Sequence, residues 1–167
     1  MYPHASDFGE VATARLAHHA RHPSRMKLRP YSSSILALGG AVLMLLGLYF
    51  LFVRPPLLPE DLRAMGTTLA QNDAAIPGLA RWLRHVFWVM GGFMFTAGLL
   101  TVFVAVTSFR ARVRGVAGVM ALAGLASIGL MAVVNFMIAS DFKWLILSFV
   151  LPWALALWFY WRERGDS

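Results

Sequence analysis

Residues able to do chemistry stand in three places along this 167-residue chain. In the N-terminal segment His18 and His22 are four apart, so a helix would put them on one face, with His19 or Glu10 nearby to complete a metal set. The same residues fit an amphipathic or unstructured segment ended by Pro23, and no metal, cofactor or catalytic residue is assigned there. Further on, Arg54-Pro55-Pro56-Leu57-Leu58-Pro59-Glu60-Asp61-Leu62-Arg63-Ala64-Met65-Gly66 offers Glu60, Asp61 and Arg63 as a docking or ligand surface. Its plainer reading is a well-capped loop helix. The third group is scattered in sequence: Arg84, His85, Asn135 and Asp141 could converge as an outward-facing polar pocket if the topology argued below brings them to one side. A pairing of Asp141 with Arg84 or Lys143, and a bond from Asn135 to a neighbouring helix, would account for the same residues structurally.

Several activities lack their residues. The chain has no cysteine, which removes membrane enzymes that make or relay disulfides. Haem held between helices needs histidine inside the spans, and the one candidate, His85, lies at the edge of one. Proton-coupled export depends on an intramembrane carboxylate, and no apolar stretch contains Asp or Glu. Nucleophile elbows, phosphate loops and zinc-protease motifs are missing as well.

The elements that position these residues follow from composition. Hydrophobic residues make up 59% and charged ones 14%, against roughly 45–50% and 25% in soluble domains, so the chain calls for lipid. Uncharged or nearly uncharged stretches at about 33–53, 86–109, 116–138 and 144–161 each approach the roughly 20 residues that cross a bilayer as helix. Helix is required because unpaired backbone groups in hydrocarbon cost several kcal/mol, and the alternation of barrel strands is lacking. The first stretch is too long for a signal-peptide core and ends in bulky residues, Tyr49 to Val53, so it is expected to stay attached. Pro152 is expected to kink the fourth span.

Orientation follows from Lys and Arg, which favour the cytoplasmic side of short segments. Arg15, Arg21, Arg25, Lys27, Arg29, Arg110, Arg112, Arg114, Arg162 and Arg164 fall on one side, ten of the 15. Arg54, Arg63, Arg81, Arg84 and Lys143 fall on the other. Both tails, residues 1–31 and 162–167, are therefore expected inside, with an aromatic anchor of Trp158, Phe159, Tyr160 and Trp161 at that interface. A basic face toward anionic lipid explains the net charge of +7 without nucleic acid.

Lipid supplies no hydrophobic drive between helices, so small residues must let them approach. Ser33, Gly40 and Gly47 recur every seven residues in the first span, as Gly91, Gly98 and Ala105 do in the second. Left-handed packing of an antiparallel pair is predicted from that interval. The third span is richer in small residues, including Gly118, Ala121 and Gly124, and whatever surface four helices leave unused would suit a partner or second copy. Between the first two spans, Pro59 at a helix start and Glu60 and Asp61 in its first turn predict a short extracytoplasmic helix over about 59–72. Thr96, Thr101, Thr107 and Ser127 read as hydroxyls bonded to their own helices.

The segment from Pro55 to Gly66 resembles a PPLLPEDLR-like stretch following the first helix in uncharacterised small four-helix bacterial membrane proteins. That resemblance implies a multi-pass protein of the bacterial inner membrane and carries no activity. The fold expected is an all-α integral membrane four-helix bundle. The function expected first is a non-enzymatic accessory protein packing against itself or a larger membrane complex, with membrane lipids as its other partners. A binder or carrier of a lipid or quinone-like molecule comes next, and a membrane enzyme using the outer polar cluster last.

Overall fold

A computed structural model describes residues 31–165, and the histidines and basic residues before Tyr31 lie outside the described residues. The described chain is all-α, helices joined by short turns, and four of its helices are long and apolar enough to cross a membrane. They are α1 (Tyr31–Phe52), α4 (Leu79–Phe109), α5 (Val116–Met137) and α6 (Lys143–Glu163). At 1.5 Å per residue even the 21 residues of α6 reach about 30 Å. No more than 33% of any span's most apolar window is buried, and Phe93, Phe103, Leu122, Leu125 and Met137 stand exposed. Such continuous apolar surface would drive aggregation in water and is at home in lipid.

Two short helices, α2 (Pro59–Met65) and α3 (Leu69–Ala75), connect α1 to α4. Sequence reasoning placed one helix over about 59–72. The chain breaks at Gly66, whose φ of 66° is the left-handed conformation that ends a helix, and Thr68 and Gln71 form a capping box that starts another. The start is as the residues require: Pro59 fills the first position and the Asp61 carboxylate accepts the Leu58 N–H at 2.9 Å.

α1 and α4 pack most extensively, as an antiparallel pair with three rungs. Gly40 faces Gly98 and Gly47 faces Gly91 so closely that a Cβ on Gly98 would stand 2.6 Å from the Gly40 carbonyl oxygen. At the third rung the Ser33 hydroxyl donates to the carbonyl of Ala105, where α4 widens into a π-turn over Ala105–Phe109. α5 widens likewise at Leu125–Gly129. Thr101, Thr107 and Ser127 donate to carbonyls four residues back at 2.6–2.8 Å, which spares their hydroxyls from lipid.

The regular hydrogen bonding of the fourth span breaks just before Pro152. Regular helix runs over Lys143–Ser148 and again over Leu151–Gly165, because Pro152 has no N–H to give the carbonyl of Ser148. The residues between close with tighter bonds, Phe149 to Ile146 and Val150 to Leu147. Trp153 follows the break and inserts between α1 and α5. Its ring fills the space a Cβ would need at both Gly39 and Gly124.

The ends of the described chain meet. Ser32 donates to Glu163 at 2.8 Å, and Arg112, in the α4–α5 turn, bonds both Glu163 and the carbonyl of Tyr160. The packed core lies in this half of the bundle, built from Leu36, Phe109, Met120, Ile128, Trp153 and Tyr160 among others. Tyr160 is buried against Phe109, with ring centroids 4.5 Å apart, while Trp158 and Trp161 stay exposed. The predicted aromatic anchor is thus divided between core and surface.

Candidate functional site

The half of the bundle beneath α2 packs differently. The main contact of α4 with α5 lies near the Arg112 turn, and a cleft of about 760 Å³ is lined by residues of both spans on the side of α2. Its walls are apolar. Leu43, Leu46 and Phe50 come from α1, Phe87, Met90 and Met94 from α4, Leu130, Met131 and Val134 from α5, and Ile146 and Phe149 from α6. The volume is within the roughly 300–1,000 Å³ of small-molecule sites, which are mostly apolar with a few placed polar groups.

Those polar groups come from α2 and the turns beside it. Arg54 lies over the Phe87 ring, 3.8 Å from its centroid, and donates to Asp61 at 3.1 Å. Only 10% of its side chain is exposed, because the helix stop at Pro55 and Pro56 turns the chain back across the top of the pair. Glu60 is 5% exposed and accepts from the fully buried Ser140 hydroxyl at 3.1 Å. Ser140 in turn accepts the Phe142 N–H, and Ala139 beside it has a φ of 51°, a strained conformation for a residue with a Cβ. Arg63 donates to Asp141 at 2.8 Å on the outer side. α2 is therefore a roof, joined to the α5–α6 turn by two side-chain contacts and to the end of α1 by a third.

This arrangement differs from an exposed surface of Glu60, Asp61 and Arg63. All three are engaged with other parts of the bundle, and Glu60 points inward, because the Arg54–Pro56 turn folds α2 over the helix ends. The cluster of Arg84, His85, Asn135 and Asp141 is not assembled either. Asp141 pairs with Arg63, Asn135 donates to its own Met131 carbonyl at 2.9 Å, and His85 packs edge-on to Trp88. Among the described residues, no hydrogen bond or ion pair joins Arg84 or His85 to the other two. Only Asn135 of the four lines the cleft.

Comparison with family models, curated proteins and solved structures finds no match.

The small-residue positions divide by use. Ser33, Gly40, Gly47, Gly91, Gly98 and Ala105 lie in the α1–α4 seam, and Gly124 lies under Trp153. Ala121 is half-buried, and Gly118 has no atom within 4 Å of where a Cβ would stand. Sequence reasoning missed Arg54 and Ser140 as parts of the site. The signal for Arg54 was present: an arginine between an aromatic-rich helix end and a Pro-Pro stop can turn back only over those rings.

Proposed function

We propose that the protein binds one apolar molecule, a lipid or quinone-like compound, in the cleft between α4 and α5, as a multi-pass protein of a bacterial cytoplasmic membrane. The observation that carries this reading is the pairing of a partly open apolar cleft with polar groups of α2 at one end. That is the geometry for holding an amphiphile by its chain while its head meets fixed groups. The basic turn of Arg110, Arg112 and Arg114 supports placing the termini in the cytoplasm, so the roof faces the other side. The test is mass spectrometry of everything that co-elutes with the full chain purified in a gentle detergent. One lipophile enriched over the bulk membrane is expected, and Ala97→Phe, which projects a ring into the cleft, should lose it. A bulk-like profile in both proteins would overturn the reading.

Packing against a larger membrane complex is a second reading, favoured by the open space over Gly118 on a face where Val119, Leu122 and Leu125 are exposed. Gly118→Leu would strip a partner bound there, whereas Gly124→Leu would strike Trp153 inside the bundle. Unchanged complexes in Gly118→Leu would remove this face from consideration.

A further inference from the structure

The cleft has a head as well as walls, and its charges discriminate among amphiphiles. Arg54 is the cation facing it, and that charge is paired with Asp61 and spread over the Phe87 and Phe50 rings. Glu60 has no such partner. Among the described residues it bonds only the Ser140 hydroxyl, through Oε1, so the side chain, 5% exposed and part of the cleft lining, keeps acceptor capacity on Oε2. Ser140 has spent its donor on Glu60, and the Asn135 amide has spent one of its two N–H groups on Met131, which leaves Asn135 one donor and its oxygen as a second acceptor. Arg54 retains N–H groups beyond those given to Pro55 and Asp61.

Resting on the reading of the cleft as a binding site, we infer that its occupant is a neutral amphiphile whose head is a hydroxyl group, an alcohol or phenol, donating to Glu60 and accepting from Arg54. A hydroxyl is a small neutral group that does both from a single atom. A deprotonated phosphate or carboxylate head can accept from Arg54 but offers no N–H or O–H to Glu60, which is in no ion pair among the described residues. A quaternary ammonium offers no N–H or O–H to Glu60 and would have to leave water for a mostly apolar cavity.

The full chain in lipid nanodiscs is tested with three photoactivatable probes that share one alkyl chain and end in hydroxyl, phosphate or trimethylammonium. Labelled peptides are mapped by mass spectrometry. The hydroxyl probe is expected to label the cleft segments of α4 and α5 at about a tenfold lower concentration than the phosphate probe, as a charge-assisted hydrogen bond would give. Glu60→Gln retains an acceptor for Ser140 and should shrink that difference. Equal labelling by all three probes, or a preference for phosphate or ammonium, would overturn the head-group inference while leaving cleft binding intact. Failure of every probe to label the cleft would remove both. Should Glu60→Gln not fold, the ranking on the unaltered protein decides.

Discussion

Gly47→Ala should open the seam on which the bundle is built. The new Cβ would lie 2.5 Å from the Phe95 nitrogen, 2.7 Å from the Gly91 oxygen and 2.9 Å from the Phe95 Cα. All three are backbone atoms, so no rotamer change relieves the clash. Ordinary contact begins at 3.4 Å, and the helices must separate by about 0.9 Å at this rung, the difference between 2.5 and 3.4 Å. A gap of that size forfeits about half of each contact's roughly 0.1–0.2 kcal/mol, and some 30 atom pairs along the seam bring the loss to about 2 kcal/mol. Alanine's helix propensity offsets part of this, which makes Gly92→Ala the proper reference: Gly92 lies on the same helix as Gly91 and a Cβ there meets nothing within 4 Å. Reversible unfolding in mixed micelles, followed by tryptophan fluorescence, should therefore give Gly47→Ala an unfolding constant about thirtyfold larger than that of Gly92→Ala. Equal stability of the two variants would refute the close approach of α1 and α4.

Trp153→Ala should empty the space between Gly39 and Gly124. Such truncations cost about 3–5 kcal/mol in soluble cores, and without the water-transfer share the loss in lipid should be about 2 kcal/mol, read by the same unfolding assay. Glu163→Gln should loosen the contact of Arg112 with the end of α6, seen as faster amide exchange over 158–163 with little change around α2. Reporter fusions at Asp73 and Ala111 should report opposite sides of the membrane, with Ala111 inside.

The spans were legible because lipid imposes a length and forbids charge, constraints that act on composition alone. The α1–α4 seam was legible for a related reason: a seven-residue interval of small residues fixes which faces can approach, and Gly40 and Gly47 carry the register. The roof was not. Whether Asp141 meets Arg84 or Arg63 depends on where the Arg54–Pro56 turn lays α2, a tertiary choice that local patterns do not encode. The interruption before Pro152 was legible because proline has no N–H for the turn behind it, whereas the seating of Trp153 against Gly39 and Gly124 is a tertiary contact that local pattern does not encode. The cleft was the least legible feature, since a cavity is defined by side chains that do not meet, and Met90, Leu130 and Val134 read as ordinary lipid-facing or core residues.

Most directly decisive is native mass spectrometry of the intact protein released from nanodiscs made with its own membrane lipids. A single adduct at one per chain, surviving collisional activation that strips bulk phospholipid and absent from Ala97→Phe, is the predicted result. A bare chain, or the same ladder of bulk-lipid adducts on both proteins, would contradict it.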